Sequence, residues 1–439
     1  MDGQVPPMRF LLVTTALISS PAFTREAPDS ARLKSSVERL VSFGTRHTLS
    51  SATDPKRGIG AARRWARSEL DRIGKACGGC LKTEMIERSF TGPRAPNGAN
   101  IVDVLGIQPG SEPDRVIIVQ GHIDSRVTDV MNATADAPGA NDDASGVALV
   151  LEAARILSKE KFRATIVYAA LSGEEQGLWG GQLLAETAKA RGWKVDAVLN
   201  NDIVGNTVGQ NGVRVADRVR VFSEGIRASE DLPTQINRRA IGGEDDGPSR
   251  ALAKAVDGVA NEIVGGLDVF VDRRPDRFGR GGDHEPFLRL GYPAVRFTVG
   301  AENYDQQHQD LRTENGRVYG DTVDKMDFPY LAKVTAINVA TIVRLASAPA
   351  APESVGLAGA VATDTTVTWA AVPGAAKYRV HWRRNDKQDW DQHIDVAATE
   401  ARAVLKDVIV DDVFVGVSAL SANGAESLVT FGGRAPANR

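Results

Sequence analysis

This sequence has few cysteines, few histidines and a small net charge, and each of these features limits the functions that it can have. The 439 residues carry 53 basic and 56 acidic side chains, so the formal net charge is −3. This balance gives no general reason to expect nucleic acid or an anionic membrane as a partner. The two cysteines are Cys77 and Cys80, and a zinc knuckle would need a second pair. In an exported protein we expect a small local disulfide between them.

Long apolar runs are also missing, except for a marginal one at the start of the chain. Arg9 is followed by an apolar run over residues 10–18 and then by small residues up to Ala22. This order is typical of a secretory signal peptide, so residues 1–22 are predicted to be one and the protein to be secreted or periplasmic. A buried or disordered N-terminus is the alternative, and Met8 is an alternative start.

The remaining composition, 42% hydrophobic and 25% charged, is that of an ordinary globular protein with room for a large and a small domain. Residues 30–347 alternate strand-like and helix-like runs. Strands are predicted at 115–120, 164–170, 196–199 and 294–299, and helices at 61–73, 147–158, 178–191 and 330–346. This order predicts an α/β fold with a mixed, largely parallel central sheet flanked by helices.

Two stretches interrupt that alternation. Residues 224–250 are polar and rich in glycine, and residues 272–282, which we call the arginine loop, contain Arg273, Arg274, Arg277 and Arg280. We expect both to be long irregular loops, either functional or simply solvated insertions.

The end of the chain has a different composition. Residues 348–353 are predicted to be a linker because of their prolines, and residues 354–433 show short strands separated by turns. This segment resembles a fibronectin type III β-sandwich, with Trp369 in a matching place and Val415 where that family usually has tyrosine. We expect this segment to bind a surface, a polysaccharide or the larger domain itself, and its sequence does not favour any one of the three.

Acidic residues and histidines recur where predicted strands end, which is where open α/β sheets place their sites. His122 and Asp124 follow the first strand, and Asp142 and Asp143 precede a predicted helix. A histidine could bind a metal with Asp124 fixing its tautomer, and a carboxylate at 142 could bridge two ions. The simpler readings are a hydrogen-bonded loop histidine and a helix cap.

Three further motifs follow the same rule. Glu174 and Glu175 come directly after a strand, where two adjacent carboxylates should raise each other's pKa. A nearby dication would neutralise one and leave the other as a base, whereas a solvated turn is the plain alternative. Asp202 follows the next strand, and His308, one of six histidines, lies just past the strand at 294–299.

Together these motifs resemble the two-zinc aminopeptidases of metallopeptidase family 28, whose members also include glutamate carboxypeptidases, glutaminyl cyclases and the inactive transferrin receptor. The resemblance covers residues 30–347 and includes the segment from Gly282 to Phe287. It implies the zinc exopeptidase fold and two zinc ions per chain. His122 and Asp202 would hold one ion, Glu175 and His308 the other, and Asp142 would bridge them.

The resemblance also implies a mechanism. Glu174 would be the general base for a zinc-activated water. Asp124 would be the carboxylate that fixes the tautomer of His122. The family's pattern after His308 is broken, because Asp321-Thr322 lies further along the chain, which suggests an insertion and leaves His284 as the fallback ligand. The implied activity is an aminopeptidase acting on peptides. One alternative is a carboxypeptidase of acidic C-termini, for which the four arginines of the arginine loop would supply anion contacts. The others are a glutaminyl cyclase and a metal-free binding module.

Overall fold

The computed structural model describes residues 25–434, so the predicted signal peptide at residues 1–22 lies outside the described residues. The helices in that range are α1 (Ser30–Val41), α2 (Ile59–Ala76), α3 (Ala144–Leu157), α4 (Glu174–Gly177), α5 (Trp179–Ala190), α6 (Leu232–Ala240), α7 (Pro248–Asn261), α8 (Glu285–Arg289) and α9 (Phe328–Ser347).

The strands before α9 are β1 (Lys82–Gly92), β2 (Ala95–Gln108), β3 (Glu112–His122), β4 (Ala164–Leu171), β5 (Lys194–Asn201), β6 (Arg218–Phe222), β7 (Asp268–Asp272), β8 (Ala294–Val299), β9 (Arg312–Glu314) and β10 (Arg317–Tyr319). Those after it are β11 (Val355–Ala358), β12 (Thr365–Trp369), β13 (Lys377–Arg384), β14 (Gln392–Ala397), β15 (Arg402–Leu405), β16 (Val413–Leu420), β17 (Thr430–Phe431) and β18 (Gly433–Arg434).

Eight strands form the central sheet in the order β1-β2-β4-β3-β5-β8-β6-β7. The four middle strands, β4, β3, β5 and β8, are parallel to one another. Antiparallel pairs join β1 to β2, β2 to β4 and β6 to β8. The predicted mixed sheet is therefore confirmed, and its parallel part is the centre.

Helices cover both faces of this sheet because its middle strands are apolar on both sides. Along β3, Ile117 and Val119 pack in one buried cluster with α1, α2, α3, α7 and α9. Val116 and Ile118 pack in a second cluster with α5 and α8. Side chains that alternate between two buried layers are expected in the parallel core of an α/β domain.

Of the two interrupting stretches, one differs from the prediction and the other agrees with it. Residues 224–250 were expected to be irregular, but they contain α6 and the start of α7. Helix α6 has no buried residue and only a few apolar positions, so its sequence lacks the extended apolar stripe by which a helix is recognised. The arginine loop contains no helix after β7 ends.

The last part of the described chain is a β-sandwich of two four-stranded sheets, β15-β12-β11-β18 and β14-β13-β16-β17. Its core contains Trp369, Tyr378 and Val415. Helix α9 ends at Ser347 and β11 begins at Val355. The domain boundaries and the likeness to fibronectin type III stay predictions.

The sandwich contacts the α/β domain through ion pairs. Arg344 of α9 lies 3.0 Å from Glu426, and Arg383 of β13 lies 2.7 Å from Asp245. Of the three partners left open by the sequence, the larger domain is therefore one that the sandwich binds.

Cys77 and Cys80 are joined by a disulfide just after α2. Across residues 25–434, the helices lack the combination of length and apolar character that crossing a bilayer requires.

Candidate metal centre

The residues predicted to form the site converge at the carboxyl end of the parallel strands. His122 ends β3, Asp202 follows β5, and α4 begins with Glu174 and Glu175 just after β4. In register, His122 pairs with Leu171 of β4, and Gln120 pairs with Asn200 of β5. Neighbouring parallel strands that end at the same level bring these side chains together.

Asp142 lies at the middle of the cluster. Its Oδ1 is 3.1 Å from Nε2 of His122, and its Oδ2 is 3.0 Å from Nε2 of His308. Each oxygen therefore faces a different histidine, which is the arrangement of a carboxylate that bridges two ions. Asp143 serves the fold instead, because it caps α3 and accepts a hydrogen bond from the His122 backbone at 2.9 Å.

The acidic residues and histidines of the cluster form two groups of three, which we call triads. His122, Glu174 and Asp202 form one, while Asp142 itself joins Glu175 and His308 in the other, and in each the ligand atoms lie within 4.8 Å of one another. Imidazole nitrogen and carboxylate oxygen are the ligands that Zn²⁺ takes in catalytic sites. The structure thus brings together all the residues that the sequence proposed as ligands.

The second triad has the electrostatics of a cation site. Burial lowers the pKa of His308, but the carboxylates of Glu175 and Asp142 outweigh it and raise that pKa to about 10. The buried Oε1 of Glu175 lies 3.0 Å from Nε2 of His308. The two carboxylates thus favour positive charge beside Nε2 of His308, which is the charge that a metal ion would supply there, so these residues fit zinc.

Asp124 organises the site in a way that its position in the sequence only partly predicts. Its main-chain oxygen lies 3.1 Å from Nδ1 of His122, and its carboxylate Oδ1 is further away at 3.6 Å. The carboxylate accepts hydrogen bonds from the backbone of Glu174 at 3.3 Å and of Glu175 at 3.2 Å, and from Thr48 Oγ1 at 2.8 Å. Asp124 therefore orients both the first histidine and the start of α4.

The surroundings of Glu174 favour its protonated form. Burial and the neighbouring carboxylate of Glu175 raise its pKa well above the ordinary value. A carboxylate whose proton affinity is raised accepts a proton more readily near neutral pH. Its side chain borders the cleft that opens over the metal triads.

A proposed ligand and the residue after another ligand have strained backbones. His308 has φ of 55°, and Ile203, directly after Asp202, has φ of 61°. Positive φ is unfavourable for residues with a Cβ and most of all for a β-branched one. Strain of this kind, of the order of 1–3 kcal/mol each, is concentrated at functional sites.

The cleft over the triads has a volume of about 410 Å³. Four arginines, Arg94, Arg126, Arg277 and Arg280, border it. Of the four arginines predicted as anion contacts, the structure thus places two at the cleft. Arg273 binds Asp245 instead, at 2.9 Å, and Arg274 stacks on the ring of Phe278 at 5.7 Å.

Sequence reasoning missed three residues of the site. Arg126 lies 2.8 Å from Glu175 Oε2 and 2.6 Å from Nδ1 of His308. Arg296 is fully buried and lies 2.8 Å from Asp202 Oδ1, and an arginine inside an otherwise apolar strand was the available signal. Arg46 is also fully buried and donates to the carbonyl of Ile123 at 2.7 Å.

Asp321 was noticed in the sequence but not given its role. It accepts hydrogen bonds from the backbone of Asn141 at 2.9 Å and of Asp142 at 2.7 Å. The suspected insertion before it contains the hairpin β9–β10. His284 is buried, lies outside both triads, and contacts the carbonyl of Pro275 through Nε2 at 2.7 Å.

Comparison with known sequences gives consistent matches. Residues 103–341 match the family profile described as Peptidase family M28. The chain is 42% identical over 413 residues to a probable zinc metalloprotease of Leptosphaeria maculans, covering 92% of this chain and 95% of that one. It is 40% identical to a probable zinc metalloprotease of Pyricularia oryzae, covering 92% and 82% of the two chains.

Solved structures share the fold at low identity. A leucine aminopeptidase precursor from Bacteroides thetaiotaomicron matches with a TM-score of 0.53 and 18% identity, covering 72% of this chain and 98% of that one. An aminopeptidase from an Aneurinibacillus strain matches with a TM-score of 0.51 and 15% identity, covering 72% and 93%. At such identities the likeness establishes the fold alone.

Proposed function

The chain belongs to peptidase family M28 and is a zinc-dependent peptidase, and from that premise we propose that it is a secreted two-zinc aminopeptidase. The number of ions, the end of the peptide that is cleaved and the export of the protein are all parts of this proposal. The observation that carries it is the position of Asp142 between two histidines, each of which belongs to a separate triad.

Zinc bound by these triads would supply an activated water and polarise the peptide carbonyl. The protein supplies the proton transfers. Glu174, with its raised pKa, takes a proton from the water as attack begins and then delivers it to the leaving amine. The carboxylate of Asp124 accepts a hydrogen bond from the backbone N–H of Glu174 at 3.3 Å and so holds Glu174 in place.

The size of the cleft supports cleavage at a chain end. Its volume, about 410 Å³, is near the lower end of the range of about 300–1,000 Å³ for ligand pockets. Such a space suits one or two terminal residues of a peptide. The N-terminus is the leading proposal because the motifs resemble those of aminopeptidases.

A carboxypeptidase is the second candidate, and the arginines at the cleft favour it. Arg94 and Arg280 are exposed there, and either could bind a terminal carboxylate or an acidic side chain. A panel of aminoacyl and acyl-amino-acid substrates, with and without chelator, distinguishes the two. Release from acyl-amino acids alone would overturn the aminopeptidase proposal.

Glutaminyl cyclase and a metal-free binding module are the remaining alternatives. The acidic runs that contain Asp142 and Glu174 are intact, which favours hydrolysis. Ammonia release from a peptide with N-terminal glutamine would indicate the cyclase, and a protein purified without zinc would indicate the binding module.

The first test is Glu174→Gln. Because the amide cannot take a proton from water, we expect kcat to fall by about 10²–10⁴, the usual contribution of a general base. Zinc content should stay near two per chain, since all five predicted ligands remain. Full activity with normal zinc would show that Glu174 is not the base.

Export is proposed from the signal-like start of the chain and is supported by the Cys77–Cys80 disulfide, since disulfides persist in oxidising compartments. N-terminal sequencing of protein from the culture medium or periplasm would test it. A mature protein that begins near residue 23 is expected, and intact protein confined to the cytosol would contradict it.

A further inference from the structure

We propose that the sandwich positions one wall of the cleft, through a chain of ion pairs that runs from Arg383 to the arginine loop. The effect on substrate binding rests on the proposed function, whereas the effect on the loop itself does not. Asp245, Arg273 and Arg383 are thereby assigned as positioning residues.

The chain of ion pairs begins at a buried anchor in the sandwich. Arg383 is fully buried, and its Nη2 lies 2.7 Å from Asp245 and also pairs with Asp246. The guanidinium lies 5.0 Å from the Trp390 ring centroid and 4.6 Å from that of Phe414. A buried charge with carboxylate and aromatic partners cannot be displaced without a large cost, so the anchor is firm.

Residues 242–247 of the α/β domain, which we call the acidic turn, contact the sandwich beside Arg383. Gly242 has φ of 69°, and a Cβ built there would lie 2.6 Å from the ring of Phe414. Only glycine fits that contact and that backbone angle. The acidic turn therefore packs directly on the sandwich.

Asp245 connects Arg383 to the arginine loop. Its Oδ1 lies 2.9 Å from Nη1 of Arg273, while its Oδ2 faces Arg383. Arg273 also donates to Oε1 of Gln388, a sandwich residue, at 2.9 Å. The start of the loop is thus held by the sandwich both directly and through Asp245.

The other part of the loop reaches the metal centre. Asp276 lies 2.9 Å from Arg296, which lies 2.8 Å from the proposed ligand Asp202. Arg277 and Arg280 each lie 3.1 Å from Glu302, and both border the cleft. One short segment therefore links the sandwich to the cleft wall.

The simpler explanation is that these ion pairs only stabilise the interface between the domains. The two explanations differ in one respect. If the sandwich positions the loop, cutting the link at Arg273 should loosen residues 272–282 while the rest of the protein stays folded. Arg273 is suited to the test because half of its side chain is exposed, at 51%.

The test compares Arg273→Met with Arg384→Met in the full-length chain. Arg384 is on the same strand as Arg383, but it is exposed, and among residues 25–434 its ion-pair partner is Asp386 within the sandwich. Hydrogen exchange of residues 272–282 is measured first, with and without zinc. We expect exchange to be at least tenfold faster in Arg273→Met and unchanged in Arg384→Met.

Steady-state kinetics on the best peptide substrate form the second readout. We expect KM to rise at least fivefold in Arg273→Met, with kcat within twofold of wild type and zinc content unchanged. Unchanged loop exchange would overturn the inference. Faster exchange with an unchanged KM would overturn the link to substrate binding. Failure of the proposed function would show separately, as a wild-type protein without peptidase activity.

Discussion

At the scale of single residues, the two histidines His284 and His308 show what position in a motif can and cannot reveal. His308 lies in a broken motif, yet its Nε2 is 3.0 Å from both Asp142 and Glu175. His284 lies in an intact motif and contacts a backbone carbonyl. The choice between them depends on a distance across the fold that the local sequence does not contain.

Replacing each histidine tests this assignment. His308→Ala removes a nitrogen ligand from the second triad, so we expect zinc to fall from about two to about one per chain and activity to be lost. His284→Gln should keep both ions. Metal analysis after gel filtration measures the zinc, and equal losses in the two variants would contradict the assignment.

The buried arginines could be predicted only in part. Arg296 interrupts an apolar strand, which signals an unusual partner, but nothing in the sequence identifies that partner as Asp202 or Asp276. Arg126 follows the motif of His122 and Asp124, but that motif does not identify Glu175 and His308 as its partners, and Arg46 lies in a loop without a recognisable pattern. Their contacts join segments far apart in the chain, and a single sequence carries no record of such pairs.

At the scale of helices and strands, an element can be predicted from the sequence where its burial requires apolar residues at regular spacing. The apolar runs of β3, β4 and β8 and the helical spacing of α3 and α9 are clear in the sequence because each packs in a core. Helix α6 is missed because it buries nothing. The hairpin β9–β10 is missed for a similar reason, since each of its strands has only three residues and neither is buried.

The start of α9 provides a prediction at this scale. Asp327 caps the helix by accepting a hydrogen bond from the backbone of Tyr330 at 3.0 Å, and it also accepts one from Thr207 at 2.9 Å. Asp327→Ala should lower the free energy of unfolding by about 1–2 kcal/mol, the usual value of such a cap. Urea unfolding measures it.

Asp324→Ala is the matched control, because its side chain is 71% exposed and lies in the turn before the helix. It should change the free energy of unfolding by less than about 0.5 kcal/mol. Equal destabilisation by the two substitutions would mean that the cap does not stabilise α9.

At the scale of the whole molecule, the junction between the domains should respond to acid. Burial raises the pKa of Glu426, but hydrogen bonds from His381 and Ser418 and the charge of Arg344 outweigh it and lower that pKa to about 2. The unfolded chain would have an ordinary glutamate pKa, near 4.5. The stabilisation is therefore complete above about pH 4.5 and is lost as the pH falls towards 2.

Glu426→Gln should remove that dependence. We expect wild type to lose about 1–3 kcal/mol more than the variant between pH 5 and pH 3, measured by urea unfolding. Glu400→Gln, at an exposed position of the same sandwich, should follow wild type. Parallel curves for wild type and Glu426→Gln would contradict the shift.

The way the domains interlock could not be predicted from either domain alone. The sequence shows a linker between a segment of alternating strands and helices and a segment of short strands. Each of these patterns describes one domain by itself. The ion pairs of Asp245 and Asp246 with Arg383 join positions more than a hundred residues apart. Their partners become visible only when the two domains are placed together.

The glycine contact at the acidic turn has a consequence for inheritance. Because Gly242 leaves space for Phe414, and Asp245 and Asp246 pair with Arg383, a change on one side of the interface alters the surroundings of its partner on the other side. A recombination event that exchanged the sandwich for a foreign one would leave two carboxylates without their arginine. We therefore expect these positions to vary together among descendants of this gene, and the two domains to be transmitted as one unit.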